Sequence, residues 1–151
     1  MPPLQDFSVR EAAPGDLPDL LRLYTHLHDN PVPEIDAGIK ILWTEILNDR
    51  NHHILLGHAC ETLAASCVVI IVRNLTRGQR PYALVENVVT HPDHRRCGYG
   101  LRVLAEAREI AVRENCYKIM LMTGSKEPGT LDFYKKAGYN SDEKTAFIQR
   151  L

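Results

Sequence analysis

The chain has 151 residues, 44% of them apolar and 25% charged, with a formal net charge of −1. These are globular proportions, enough for a core of its own, and near-neutrality removes any general electrostatic pull toward nucleic acid or a membrane surface. Cys60, Cys67, Cys97 and Cys116 show no C-x-x-C spacing, Met1–Asp6 shows no basic-then-apolar leader, and no apolar run could cross a bilayer; neither a disulfide framework, a zinc site, secretion nor a membrane span is expected, and a reducing cytoplasm fits.

Phe7–Arg10 alternates apolar and polar and predicts a short strand. Pro14-Gly15-Asp16 breaks it, with Asp16 placed to cap a helix over about 17–28 whose inner stripe is Leu17, Leu20, Leu21, Tyr24 and Leu27. After Asn30-Pro31-Val32-Pro33, a helix over about 36–49 starts at Asp36 and buries Ile39, Leu42, Trp43, Ile46 and Leu47. The β-branched runs 52–58 and 63–72, joined by Cys60-Glu61-Thr62, predict an antiparallel hairpin. An arginine-rich connection, 73–81, leads into a third long strand, 82–90. A helix over about 99–114 carries Val103, Leu104, Ala107, Ile110 and Ala111 inside and Glu109 with Arg113 outside. Residues 117–122 predict a strand parallel to the last, because a helix joins them. A short helix over 129–136 ends at Gly138, and 145–148 makes a closing strand. With no repeat or linker, residues 1–151 read as one α/β domain, a mixed central sheet with helices on both faces.

Between the third long strand and its helix stands His91-Pro92-Asp93-His94-Arg95-Arg96-Cys97-Gly98-Tyr99-Gly100-Leu101. Gly98 and Gly100 let a ligand approach the backbone, and the first amides of the helix have no intrahelical partner. Such a helix start binds anions. Arg95 and Arg96 add fixed positive charge there, which suits a pyrophosphate. The loop lacks the Gly-Lys-Ser/Thr of a nucleotide P-loop and does not complete a dinucleotide fingerprint. The other histidines, including His26 with His28 and His52 with His53, lack a convincing third ligand, so no metal is expected.

Arg95, Gly98 and Gly100 in the pattern Arg-x-x-Gly-x-Gly, after a strand ending in His-Pro, resemble the acetyl-coenzyme A site of the GCN5-related N-acetyltransferase (GNAT) superfamily. The element order is similar too. The resemblance implies a single N-acetyltransferase domain of GNAT fold, binding acetyl-coenzyme A through the backbone of Val88, Val89 and Thr90 on the pantetheine arm and through Arg95, Arg96, Cys97, Gly98, Tyr99, Gly100 and Leu101 on the phosphates. Leu131-Asp132-Phe133-Tyr134-Lys135-Lys136-Ala137-Gly138-Tyr139 looks like the family's late Phe-Tyr-x-x-x-Gly-Phe/Tyr segment. That makes Tyr134 the general acid for the departing thiolate.

Acetyl transfer to an amine needs the nucleophile unprotonated, and an alkylammonium has a pKa of about 10.4. Glu86, a carboxylate inside the apolar strand Ala83–Val89, is the candidate base, with a sheet-end glutamate paired to an arginine as the structural alternative. Glu86-Asn87-Val88-Val89, Cys116-Tyr117-Lys118-Ile119 and the Phe133–Tyr139 segment are most similar, within the superfamily, to the glucosamine-6-phosphate N-acetyltransferases. The chain departs from them at Met122–Pro128, which holds no aspartate, and Glu127 stands where the superfamily often has asparagine. The implied reaction is acetyl transfer to a primary amine of a small molecule, a cationic amine or an aminosugar, in a ternary complex, with the arginines of 73–80 able to hold a distal phosphate or carboxylate and a homodimer joined near the C-terminal strand. The competing readings are a non-catalytic acetyl-coenzyme A binding regulatory domain, an acetyltransferase of protein or peptide amines, and a nucleic-acid module using Arg73, Arg77, Arg80, Arg95 and Arg96.

Overall fold

A computed structural model describes residues 6–28 and 31–151. Five strands form one sheet in chain order: β1 (Phe7–Glu11), β2 (His52–Ala59), β3 (Thr62–Val72), β4 (Tyr82–Thr90) and β5 (Ile119–Leu121). The first four run antiparallel to their neighbours, and β5 is parallel to β4 because α3 (Tyr99–Arg113) carries the chain back across the sheet. α1 (Leu17–Tyr24) and α2 (Ala37–Asn48) cover one face, where Leu17, Leu20 and Trp43 meet Ile54, Leu56 and Val68. α3 covers the other, packing Tyr99, Val103, Leu104, Ala107, Ile110 and Ala111 on Leu55, Ala65, Val69 and Val85. α4 (Pro128–Lys136) adds Phe133 and Tyr134 to that second core. Helices on both faces of a mixed sheet is the architecture that the element order predicts.

Gly57 fixes how closely α3 approaches. A Cβ there would lie 2.5 Å from the Phe7 ring and 2.8 Å from Val103, so the strand presents bare backbone to both. Phe7 in turn stacks flat on Tyr99, ring centroids 4.2 Å apart.

Several local expectations are corrected. α1 stops at Tyr24 rather than 28, and its buried residues include Leu23, outside the predicted stripe. Asp16 does not cap it. Its carboxylate takes two 2.7 Å bonds from the Arg10 guanidinium and one from the Ala13 amide, and Arg10 holds that carboxyl below the usual range. Asp36 does cap α2, accepting from the Ile39 amide at 2.9 Å. Yet α2 buries only Trp43 of its five predicted residues, whose indole donates to the Pro14 carbonyl. Glu109 pairs with Arg108, not Arg113. The strand predicted at 117–122 shortens to three residues. The closing strand at 145–148 does not form: the segment joins no sheet, and Phe147 is 92% exposed. Met1–Gln5 and Asn30, on which the leader and helix-end expectations partly rest, lie outside the described residues.

Candidate active site

The site begins with an irregularity in β4. Ser66 pairs with Val89 and Val68 with Glu86, so Asn87 and Val88 together oppose Cys67, and Asn87 takes a left-handed φ of 51°. This is a β-bulge, which re-aims the strand and increases its twist. Tyr24 lines the cavity beneath it together with Asn87, and burial pushes that phenol up to about 12. Beyond the bulge the sheet parts: β5 pairs only with Ala83, Leu84 and Val85. The backbone of Glu86–Thr90 therefore has no strand on its β5 side, which leaves a row of amides and carbonyls facing the gap.

The end of that row is tied down by the His91 amide, which donates to the Ala64 carbonyl at 2.8 Å. A 3-10 turn, Pro92–His94, follows, then Arg96 at φ 59° and Gly98 at φ 79°, the residue just before α3. A Cβ on Gly98 would meet nothing within 4 Å. The space in front of the helix start is thus open, and the left-handed backbone there favours glycine. Gly100, two residues further on, is hemmed in by the Phe133 ring and Thr90 Oγ1. Arg95 folds back, its Nε donating to the Thr90 carbonyl at 3.2 Å, and Cys97 Sγ reaches the Arg95 carbonyl at 3.5 Å. The Tyr99 ring belongs to the core, so Tyr99 can offer a ligand only its backbone. His91 lies between His26 and His94, ring centroids 4.5 and 5.7 Å away.

Tyr134 is half-buried on α4, edge-to-face with Phe133 at 5.0 Å and with Tyr139 at 6.4 Å. Burial, with a lesser contribution from Cys67, raises its pKa, so the phenol carries its proton throughout the neutral range. Glu86, next to buried Val85 and on the opposite face, lines the cavity beneath α1 and α2. Among the described residues it has no ion-pair partner, against the alternative of a glutamate neutralised by arginine.

The acetyltransferase (GNAT) family profile matches residues 17–139, from the start of α1 through the segment after α4. The chain belongs to the acetyltransferase (GNAT) family. A glucosamine 6-phosphate N-acetyltransferase of Trypanosoma brucei brucei is 27% identical over 148 residues, spanning 95% of this chain and 96% of that one. The solved structure of a putative acetyltransferase from Agrobacterium tumefaciens is 39% identical and superposes with a TM-score of 0.88, covering 95% and 99% of the two chains. The structure of glucosamine-6-phosphate N-acetyltransferase from Arabidopsis thaliana, at 21% identity, shares the fold with a TM-score of 0.83 over 96% and 97%. This acetyltransferase is therefore an acetyl-coenzyme A dependent acyltransferase, and the site residues present suit that coenzyme: an unpaired strand edge leads into an open glycine cradle at a helix start.

The arginine-rich connection does not belong to this acetyltransferase's site. It joins the end of β3 to the start of β4, opposite the end that carries the glycine loop. Arg80 is spent on the Asn115 and Cys116 carbonyls, and Arg77 lies over the Tyr117 ring. Two site residues escaped sequence reasoning. Tyr24 reads as one more member of an apolar stripe, and the left-handed Asn87 is invisible without the β3 register; the polar Glu86-Asn87 pair inside an apolar strand was the only available signal.

Proposed function

We propose that the protein transfers the acetyl group of acetyl-coenzyme A to the primary amine of a small molecule, by direct attack while both are bound. The observation that carries this reading is the strand edge Glu86–Thr90, left unpaired by the short β5 and running into the open space at Gly98. The backbone of Val88, Val89 and Thr90 bonds the pantetheine arm, as a missing strand would. The amides of 96–101 and the Arg96 side chain hold the phosphates, while Arg95 braces the loop through Thr90.

In the chemical step the amine nitrogen forms a bond to the thioester carbon and the carbon–sulfur bond breaks. Tyr134 gives its proton to the departing thiolate and is reprotonated, through solvent, by the second proton that the attacking nitrogen sheds on becoming an amide. Glu86 takes the proton that the ammonium must lose. A thiolate with a pKa of about 8.5 is a tolerable leaving group, so the acid assists the reaction without being indispensable. The test is release of coenzyme thiol over a panel of primary amines. Coenzyme binding without release on any amine or peptide would leave a regulatory binding domain instead.

The reading includes a homodimer. Phe147, Ile148 and Leu151 are exposed on a segment that joins no strand of its own sheet, and β5 has one open edge. Exposed apolar side chains beside an unpaired edge support association. Sedimentation of the full chain and of a chain ending at residue 143 tests it: a monomer in both would remove the dimer.

A further inference from the structure

A cavity of about 360 Å³ lies between α1, α2 and the sheet, and Glu86 and Asn87 form its end at the β4 bulge. It exists because α2 closes on the sheet chiefly around Trp43 and leaves space beside it. Only Trp43 of its inner stripe is buried, while Leu42, on the cavity wall, is 53% exposed. The size is within the range of about 300–1,000 Å³ usual for small-molecule sites. Apolar side chains, among them Leu21, Ile39, Trp43, Ile46 and Ile70, make most of the wall, and no arginine or lysine takes part. The polar lining is Glu86, Asn87, Tyr24 and His52, and burial lowers the His52 pKa, keeping that ring neutral at pH 7. The cavity thus offers one negative group at one end of an apolar chamber.

We infer that this cavity is the acceptor pocket and that the acceptor is a primary amine on a compact apolar body, an alkylamine or arylalkylamine, with its ammonium group at Glu86. The inference rests on the acetyl-transfer reading above and names the substrate class of the same site. A sugar phosphate fits poorly. Its hydroxyls and its dianion would face aliphatic walls without a cation, and the carboxylate of Glu86 would repel the phosphate. The other large cavity, beside α1 and His91, is polar, but its single arginine, Arg22, is paired with Asp19, and Glu61 adds a second negative charge.

Trp43 is the only tryptophan in the chain and lines the cavity, so its fluorescence reports occupancy independently of turnover. 2-Phenylethylamine, hexylamine and glucosamine 6-phosphate are titrated against the full chain with acetyl-coenzyme A, reading fluorescence and thiol release in parallel. The apolar amines are expected to change Trp43 emission and to show kcat/KM at least tenfold above glucosamine 6-phosphate. Ile39→Arg, which sets a cation in the wall, lowers kcat/KM for the apolar amines at least tenfold and leaves coenzyme affinity unchanged; Leu42→Arg, at an exposed position, gives the same reading should Ile39→Arg fail to fold. Turnover of glucosamine 6-phosphate equal to or above that of the apolar amines overturns the inference and leaves the transferase standing. A fluorescence response without thiol release upholds the pocket's ligand class and overturns the transfer reaction. Silence in both readouts with both apolar amines overturns the inference.

Discussion

A Cβ placed on Gly100 would stand 3.0 Å from Cζ of Phe133 and 3.1 Å from Oγ1 of Thr90. One glycine therefore locks three parts of the site together: the end of the unpaired strand edge, the first turn of α3 and the helix that carries Tyr134. Gly100→Ala gains about 1 kcal/mol of helix propensity and loses about 1–3 kcal/mol to overpacking. The net change in stability is expected to be a loss of about 0–2 kcal/mol. The displaced α4, however, should lower acetyl transfer at least tenfold. Unchanged turnover in Gly100→Ala would mean that α4 tolerates the shift.

The open cradle at Gly98 can be filled on purpose. Gly98→Asp and Gly98→Asn have nearly the same shape, and both residues tolerate a left-handed backbone. The difference between them isolates charge. Coenzyme affinity, measured by calorimetry, is expected to fall more than tenfold further in the aspartate variant, equivalent to about 1.4 kcal/mol. Equal affinities would place the phosphates elsewhere.

Tyr134→Phe removes one proton donor and little packing. Coenzyme affinity should stay unchanged while kcat falls by about 10²–10⁴-fold. Full turnover would return Tyr134 to a purely structural role beside Phe133.

Glu86→Gln keeps the shape of the β4 bulge and removes the base. The rate should drop most near neutral pH and recover partly as pH rises, because free amine becomes more abundant toward its pKa of about 10.4. Profiles of the two proteins that stay parallel, displaced by a constant factor, would show that Glu86 positions the amine and that water removes the proton.

Buried phenols set the alkaline limit of the fold. Burial pushes both Tyr24 and Tyr139 up to about 12 from 10.0. The folded state then binds more protons than the unfolded chain between those values, so this contribution is intact below about pH 10 and is lost as pH rises toward 12. The Tyr139 hydroxyl is buried with no hydrogen-bond partner among the described residues. Tyr139→Phe is therefore expected to be neutral or stabilising, and to flatten the fall in urea midpoint above pH 10. A loss of more than about 1 kcal/mol would show that the hydroxyl makes a bond in solution.

The sequence alone determined what rests on local periodicity and local chemistry. The buried stripe of α3, the parallel return to β5, the glycine loop at a helix start and the placing of Tyr134 on a short helix were all legible, because spacing along the chain fixes which side chains share a face. Tertiary structure decided what depends on partners distant in sequence. Asp16 left its cap for Arg10, residues 145–148 found no strand partner among the described residues, and the polar 73–81 connection turned out to serve the far end of the sheet. The acceptor pocket is the clearest case. Ile39, Leu42, Trp43 and Ile46 have a core-like period whether or not anything closes over them, since amphipathicity records which face turns inward but not how far away the opposing surface lies. Only the packed structure shows α2 meeting the sheet around Trp43 and leaving a space beside it, with Glu86 at the end of that space.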